Sequence, residues 1–393
     1  MFLPLFVLFV LFGYGVLAQT AATGSENRIQ AILEKSTSKN IARKGGGLLS
    51  VSFFSRPNNG LCAASTFISG NIAGSKSAAV QSDTPYGIAS ITKTFLATLA
   101  LIYAQRKKLD LDTPIIGMFD KKEWILDHIS NRRFKRNLAT VTFRQLLSHR
   151  AGFADYWDNN KFFEIWRKNK QKYWSHLEIL KWAGQMKPKC KVDRCFHYSD
   201  TNYLIAGLIL ERKFNERLHR LFWKEIFDPL KMLCSWMFFE ESKPSQCGPV
   251  AHSYERKLDV TKNRMQSADW ASGGIYSTLE NQVKFFRALF FTERLLSKQS
   301  REEMLSMRKT GWLRSYKYGL GIYGLKMGRH MTLIGHEGIH NAFSFLWKEK
   351  DILFTGSLNQ EKNQAVDELL YPIMRVLQED GRARWLKQYN QGC

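Results

Sequence analysis

The sequence is poor in acidic residues and contains no internal repeat, low-complexity tract or linker rich in proline and glycine. Without such a divider, we interpret residues 19–393 as one compact domain. Hydrophobic residues make up 44% of the 393 residues and charged residues 24%. This composition excludes a disordered, collagen-like or coiled-coil chain and leaves enough apolar mass for a hydrophobic core.

The shortage of acidic residues gives the chain a strong positive charge. Asp and Glu total 35 against 58 Lys and Arg, so the formal net charge is +23. Such a balance suits nucleic acid, but it equally suits anionic lipid or the anionic polymers of a cell envelope. The excess is concentrated in residues 101–220, which hold 25 Lys and Arg against 13 Asp and Glu. We interpret this region either as a solvated surface or as a docking surface for an anionic polymer or membrane.

The N-terminal segment carries no charged side chain before Glu26. Residues 1–18 are largely apolar, and Val16 and Ala18 occupy the −3 and −1 positions of a possible cleavage site. This pattern is typical of a secretory signal peptide, and the stretch is short for a membrane span. We therefore expect a secreted or periplasmic protein, cleaved after Ala18. Export argues against nucleic acid as a partner.

The cysteines include no C-x-x-C pair, which disfavours a zinc site. Their number is even, six, which suits disulfides in an oxidising compartment. Cys190 with Cys195, and Cys234 with Cys247, could each close a short loop. The sequence alone leaves the pairing open.

The distribution of strand and helix patterns indicates an α+β fold. Strand-like runs at Gly47–Ser55 and Leu61–Ser69 precede a helical middle, and further runs follow at Tyr318–Lys326, Met331–Gly335, Ala342–Lys348 and Ile352–Ser357. We expect one antiparallel sheet built from both ends of the chain, with a helical region inserted. The α/β part would comprise about 26–89 and 315–393, and the helical part about 90–314.

The first candidate catalytic motif is Ser90-Ile-Thr-Lys93, at the start of an apolar helical run. Residues three apart on a helix share a face, so Lys93 would lie beside Ser90. A serine hydroxyl becomes a good nucleophile when a neighbour takes its proton or stabilises its alkoxide. The motif alone is weak, because a lysine-rich chain produces it by chance.

Two further motifs follow in order along the chain. Tyr198-Ser-Asp200 precedes an apolar helix, and Gly335-His-Glu-Gly338 follows a strand. The second overlaps His336-Glu-Gly-Ile-His340, a literal zinc-protease pattern, but that pattern requires a helix and the flanking residues predict strands. A literal Lys309-Thr-Gly311 lies before the Tyr318 strand rather than after it. No Gly-x-Ser-x-Gly elbow supports an α/β-hydrolase triad.

Taken in this order, the motifs resemble those of serine hydrolases of the class C β-lactamase type, a family that includes D-alanyl-D-alanine peptidases, other penicillin-binding proteins and esterases. Three further stretches strengthen the resemblance: Val141–Phe153, Ala271–Thr278 and Tyr318–Ile322. It spans about Gly46 to Leu370. It implies a β-lactamase/transpeptidase-like fold, with an antiparallel sheet flanked by N- and C-terminal helices and a helical insertion.

The resemblance also implies roles for matched positions. Ser90 would be the nucleophile, and Lys93 and Tyr198 would manage its proton, with Tyr198 the general base. Asp200 replaces the asparagine of many members and would orient Lys93 and substrate. The backbone N–H groups of Ser90 and Ile339, next to Gly338, would form the oxyanion hole. For His149 we favour a structural role over a catalytic one.

The third motif departs from the family pattern in a way that bears on substrate. His336 replaces the lysine that helps bind a substrate carboxylate, and a histidine is mostly neutral near pH 7. Glu337 could repel such a carboxylate, unless strand alternation turns it away. We therefore expect an ester or amide hydrolase, esterase-like, with a small-molecule ester, amide or peptide substrate and no cofactor or metal. The alternatives are a β-lactamase or D-alanyl-D-alanine carboxypeptidase, a catalytically inactive binding homologue and a zinc peptidase.

Overall fold

The computed structural model describes residues 24–41, 47–55, 60–73, 77–255, 258–261, 263–312, 315–359 and 365–380. The predicted signal peptide, the Cys62 side chain and Cys393 lie outside these described residues. Within them, no helix is both long and apolar enough to cross a membrane.

The described chain contains short and long strands, whose bounds are β1 Gly47–Ser55, β2 Gly60–Ser69, β3 Tyr86–Gly87, β4 Trp236–Met237, β5 Tyr254–Glu255, β6 Leu258–Asp259, β7 Ile275–Ser277, β8 Arg308–Lys309, β9 Tyr316–Tyr318, β10 Tyr323–Gly328, β11 Met331–Gly338, β12 Ala342–Trp347 and β13 Ile352–Ser357. The helices are α1 Gly24–Ile41, α2 Thr92–Gln105, α3 Glu123–Leu126, α4 Arg132–Thr140, α5 Phe143–Leu147, α6 Asn160–Lys168, α7 His176–Gly184, α8 Asp200–Phe214, α9 Leu218–Phe222, α10 Trp270–Gly273, α11 Leu279–Phe291, α12 Lys298–Met304 and α13 Tyr371–Asp380.

The main sheet joins the two ends of the chain. Its strand order is β2-β1-β13-β12-β11-β10-β9-β8, and every neighbouring pair is antiparallel. The join is the pairing of β1 with β13, which runs from Leu48 opposite Ser357 to Phe53 opposite Ile352. The expected α+β architecture, with an antiparallel sheet built from both ends, is confirmed.

Helices cover both faces of this sheet. Residues of α1 and α13, with the π-helical turn Ala365–Leu370, share one core with Leu333 and Phe345. Helices α2 and α11 share the other core with Ile334 and Leu346. Because side chains alternate between faces and both faces are covered, every residue of β12 and β13 is buried.

Helix α2 is the centre of the helical part. Residues from Thr92 to Tyr103 are buried without interruption, and the helix contacts α8, α9, α10 and α12. A helix enclosed on all sides needs no polar face, which explains its largely apolar sequence from Phe95 to Tyr103. Thr94 fixes it to the loop before β10 by donating to the Gly321 carbonyl over 2.7 Å.

Disulfides close two loops of the helical part. Cys190 pairs with Cys195, and Cys234 with Cys247. Both pairings were among those left open by the sequence. The first loop immediately precedes Tyr198 in the chain.

Candidate active site

Ser90 lies in a 3-10 turn, Ala89–Ile91, that leads directly into α2. Its side chain is half-buried, and the preceding Ala89 adopts a φ of 46°, in the left-handed region that is costly for a residue with a Cβ. The helix N-terminus behind Ser90 favours negative charge at this point. A strained turn thus presents a hydroxyl where an alkoxide would be stabilised.

Lys93 lies one turn further along α2 and is fully buried. Its Nζ is 2.8 Å from Ser90 Oγ, 2.9 Å from the Ser272 carbonyl oxygen and 2.7 Å from Asp200 Oδ1. An ammonium has three N–H donors, and these three acceptors match them. Lys93 therefore holds a fixed position against the Ser90 hydroxyl.

Asp200 is the first residue of α8 and is held on both sides. Oδ2 accepts from Trp157 Nε1 over 3.2 Å and from Ser272 Oγ over 3.1 Å. Its backbone N–H donates to Asp155 Oδ2 over 3.1 Å. The predicted role of Asp200 in orienting Lys93 agrees with this geometry, and the aspartate adds a charge that asparagine would lack.

Tyr198 hydrogen-bonds to Ser90 through its side chain. Burial raises the pKa of the Tyr198 phenol well above its usual value, the Asp200 charge raises it further, and the Ser90 hydrogen bond opposes both. Lys93 Nζ lies 5.0 Å from the Tyr198 ring centroid. Tyr198 is therefore a neutral phenol in the free protein, next to Ser90 and Lys93.

His149 supports Tyr198 from behind, with ring centroids 4.2 Å apart. Its Nδ1 is 3.1 Å from the Ser199 backbone N–H and 3.0 Å from Asn202 Nδ2. Burial and the Lys93 charge lower the pKa of His149 well below its usual value. A neutral, buried histidine that accepts at Nδ1 suits the structural role expected for it.

The end of β11 passes directly beside Ser90. A Cβ on Gly338 would lie 2.8 Å from the Ile88 carbonyl oxygen and 2.9 Å from the Ser90 backbone nitrogen, so the backbones approach as only glycine allows. Ile339, which follows, is 44% exposed. This close approach suits an oxyanion hole from the Ser90 and Ile339 N–H groups, which stays a prediction.

His336, on β11, is fully buried. Nε2 is 3.1 Å from the Tyr318 hydroxyl, and Nδ1 is 2.6 Å from the Glu337 carbonyl oxygen. Burial and the Lys93 charge lower the pKa of His336 to about 3. His336 is thus a neutral residue hydrogen-bonded to Tyr318, and the catalytic role predicted for it stays a prediction.

Glu337 faces the other side of the sheet. Strand alternation places it with Leu333, in the core shared with α1 and α13, whereas His336 lies with Ile334 on the face towards α2. Burial, with the Asp367 charge, raises the pKa of Glu337. The substrate contact predicted for Glu337 therefore stays a prediction that this geometry does not favour.

The literal Lys309-Thr-Gly311 and His336-Glu-Gly-Ile-His340 patterns lack the structural surroundings that their chemistry requires. Lys309 is on β8, the edge strand three positions from β11 in the sheet. His336 is on a strand and His340 in the turn after it, so the literal zinc-protease pattern lacks its helix. Among the described residues, no group of three or more His, Cys, Asp or Glu is arranged to hold a metal ion.

Comparison with known proteins decides the family. The family model described as Beta-lactamase matches residues 62–378, most of the chain. The chain belongs to the Beta-lactamase family. Its structural neighbours include the D-amino acid amidase from Ochrobactrum anthropi SV3 complexed with L-phenylalanine, at a TM-score of 0.75 and 23% identity, covering 91% of this chain and 99% of that one.

Two other solved structures share the fold. The D-stereospecific amidohydrolase from a Streptomyces species has a TM-score of 0.71 and 21% identity, covering 87% of this chain and 97% of that one. The penicillin-binding protein from Bacillus halodurans has a TM-score of 0.64 and 18% identity, covering 88% and 98%. The β-lactamase/transpeptidase-like fold is thereby confirmed. This Beta-lactamase-family chain is a serine hydrolase, and an acyl-enzyme mechanism is typical of the family.

Sequence reasoning missed several contributors to the site of this Beta-lactamase-family chain. Asp155 and Trp157 follow the Val141–Phe153 stretch but lie outside any motif. Ser272 lies inside the Ala271–Thr278 match, yet its contacts with Lys93 and Asp200 leave no trace in the sequence. The sequence feature that could have indicated Asp155 is the Gly152-Phe-Ala-Asp155 segment, in which a carboxylate closely follows the glycine of the Val141–Phe153 stretch.

Proposed function

We propose that this chain hydrolyses a small-molecule amide or ester through an acyl-enzyme on Ser90. The observation that carries the proposal is that Lys93 Nζ is 2.8 Å from Ser90 Oγ and 2.7 Å from Asp200 Oδ1, while Tyr198 hydrogen-bonds to the same serine. Nucleophile, cation and proton carrier are thus in contact before any substrate binds. That arrangement suits acyl transfer.

In the acylation step, Ser90 Oγ attacks the substrate carbonyl carbon and passes its proton to the Tyr198 oxygen. Because the Tyr198 phenol is neutral at rest, it gives its own proton to the leaving nitrogen or oxygen. The bond from that atom to the carbonyl carbon then breaks. The Lys93 ammonium stabilises negative charge developing on Oγ, and the Ser90 and Ile339 N–H groups would stabilise the oxyanion.

Deacylation reverses these proton movements with water in place of the leaving group. Water attacks the acyl carbon, gives a proton to Tyr198 and receives the acyl group as a carboxylic acid. Tyr198 returns its proton to Ser90 Oγ as the bond between Oγ and the acyl carbon breaks. The free enzyme is restored with no cofactor.

The charges in the site favour an amide or ester without a carboxylate over a β-lactam. The lysine of the family motif is replaced by His336, which is buried and neutral. Asp200 places a carboxylate beside Lys93, over 2.7 Å, and so offsets its charge. β-Lactams and D-alanyl-D-alanine peptides both carry a carboxylate, which this site would repel. Two of the structural neighbours are an amidase and an amidohydrolase for D-stereoisomers, which supports including amides.

Covalent labelling tests this proposal. A fluorophosphonate should label Ser90 in the wild-type protein and in the Ser306→Ala control, and it should not label Ser90→Ala. Ser306 is a suitable control because it is exposed, just after α12. The same preparations should be assayed with p-nitrophenyl acetate, a D-amino-acid amide and nitrocefin. Turnover unaffected by Ser90→Ala would overturn the proposal. Turnover of nitrocefin above both other substrates would assign a β-lactamase instead, and no turnover or label would assign an inactive binding homologue.

We further propose that the protein is exported and that a basic face binds an anionic surface. Exposed Arg132, Arg133, Lys135 and Arg136 lie on α4. Asn137 of the same helix donates to the Cys190 carbonyl over 2.9 Å, which places the Cys190–Cys195 loop, with its exposed Lys191 and Arg194, alongside. Positive charges so grouped favour anionic lipid or envelope polymer.

Two measurements test this second proposal. N-terminal sequencing of protein recovered from the producing cells should begin at Gln19. Sedimentation with vesicles rich in phosphatidylglycerol should be strong at low salt, weak at high salt and reduced when the four α4 cations are replaced by glutamine. Equal binding to phosphatidylcholine vesicles would contradict a charge-based surface.

A further inference from the structure

The hairpin between β11 and β12 has an uncommon backbone. Gly338 pairs with Ala342, so the loop consists of the three residues Ile339–Asn341. His340 has a φ of 66° and Asn341 a φ of 56°, so two successive residues with a Cβ are left-handed. A Cβ makes this conformation costly, and asparagine and histidine are among the residue types that adopt it most readily. The shape of the loop therefore depends on which residues occupy positions 340 and 341.

Left-handed residues lie next to both backbone N–H groups predicted for the oxyanion hole. One is Ala89, with a φ of 46°, directly before Ser90. The other is His340, directly after Ile339. The two segments meet at Gly338, where an added Cβ would lie 2.7 Å from Ala89 Cβ. Strained backbone persists where the surrounding structure determines it and is concentrated at active sites, which matches its place here beside both donors.

Contacts with the end of β13 and with the turn after it hold this loop in place. The His340 carbonyl oxygen accepts from Ser357 Oγ over 3.2 Å. Asn341 Oδ1 accepts from the Ala365 backbone N–H over 3.2 Å. His340 and Asn341 are buried, whereas Ile339 is 44% exposed. The position of Ile339 is therefore set through the backbone of the two anchored residues that follow it.

We propose that His340 and Asn341 are positioning residues whose left-handed backbone aims the Ile339 N–H at the oxyanion formed on the substrate. A donor of an oxyanion hole works when it lies within hydrogen-bond distance of that oxygen, and a displacement of about 1 Å removes much of its effect. A different conformation at either position would redirect the chain and move this N–H. The inference rests on the proposed acyl-enzyme mechanism and adds the two residues that hold one of its oxyanion donors.

The test compares two variants at position 341. Asn341→Ala and Asn341→Gly both remove the acceptor of the Ala365 N–H, but only glycine adopts a φ of 56° without cost. With p-nitrophenyl acetate, kcat of Asn341→Ala should be roughly 10- to 100-fold below that of Asn341→Gly, with KM little changed. The reason is that the oxyanion forms only in the transition state, so its stabilisation acts on kcat.

Phenylboronic acid gives a second readout, because its boron binds a serine oxygen as a tetrahedral anion that mimics the oxyanion intermediate. Its affinity for Asn341→Ala should be lower than its affinity for Asn341→Gly by a similar factor. A role confined to stability would leave the affinity of the folded protein unchanged. Urea denaturation of each variant measures that stability separately.

Asn215 provides the matched control. It is also left-handed, with a φ of 49°, but it is exposed at the C-terminal end of α8. Asn215→Ala and Asn215→Gly should therefore have equal kcat and equal affinity for phenylboronic acid. His340→Ala and His340→Gly form a second pair with the same expected difference as the pair at position 341, and this pair decides the question if Asn341→Ala does not fold.

The outcomes separate this inference from the proposed function. Equal kcat for the alanine and glycine variants of the tested pair overturns the positioning role, because these variants share the loss of the side chain and differ in backbone freedom. A difference in kcat without a matching difference in phenylboronic acid affinity overturns it too, as does an equal difference at position 215. In all three cases, wild-type turnover with labelling of Ser90 leaves the acyl-enzyme mechanism standing. Wild-type protein with neither label nor turnover overturns both proposals.

Discussion

Acidification should destabilise the protein through histidines buried beside the active site. Burial lowers the pKa of His340 to about 4, and burial with the Lys93 charge lowers that of His336 to about 3. The ordinary pKa of histidine is about 6.5, which the unfolded chain would show. A pKa lowered in the folded state means that protons bind preferentially to the unfolded chain. The contribution of these histidines to the free energy of unfolding is therefore present above pH 6.5 and is lost as the pH falls below it.

The size of the effect follows from these pKa values. Between pH 7 and pH 5, each histidine should remove about 2 kcal/mol from the free energy of unfolding, and the two together about 4 kcal/mol. Below their folded-state pKa values the loss stops growing. Urea denaturation at intervals of half a pH unit measures it directly.

Replacing one histidine isolates its share. His340 has a φ of 66°, which asparagine tolerates, so His340→Asn should reduce the loss between pH 7 and pH 5 by about 2 kcal/mol. The control is His330→Asn, since His330 is exposed. Identical pH dependence in the wild type and His340→Asn would refute this reasoning. The comparison uses slopes, so a constant loss of stability in the variant does not matter.

The remaining predictions concern the residues around Ser90. Asp200→Ala should lower the free energy of unfolding by about 3–5 kcal/mol, because it leaves Lys93 buried without its counter-charge. Asp200→Asn should keep part of that stability. Equal urea midpoints for the wild type and Asp200→Ala would contradict this. Gly338→Ala should lower kcat for ester hydrolysis, because the added Cβ would lie 2.9 Å from the Ser90 backbone nitrogen. The rate of fluorophosphonate labelling should fall in parallel. An unchanged labelling rate would count against the oxyanion hole.

The sequence predicted which residues would lie together around Ser90 where their spacing is local or follows a recognised order. Ser90 and Lys93 are one helical turn apart, so their contact follows from helix geometry alone. Tyr198 and Asp200 were placed by their order in the family pattern, and the structure brings both to Lys93. The sheet followed from strand patterns at both ends of the chain.

Other parts of the site depend on packing that no pattern encodes. The sequence shows a histidine at position 336, but it does not show that this histidine is buried and hydrogen-bonded to Tyr318. The contacts between Asp155 and Asp200, 45 residues apart, arise because a loop folds onto the start of α8. Strands of two residues, such as β3 and β4, are too short to show a period.

The central claim is that Ser90 carries the acyl group, and intact mass spectrometry of a reacting sample tests it most directly. The protein is mixed with a slowly hydrolysed ester, quenched in acid during turnover and digested. The account predicts an acyl adduct on the peptide containing Ser90, present in the wild type and absent from Ser90→Ala. Turnover with no adduct on that peptide, or an adduct that survives in Ser90→Ala, would contradict it.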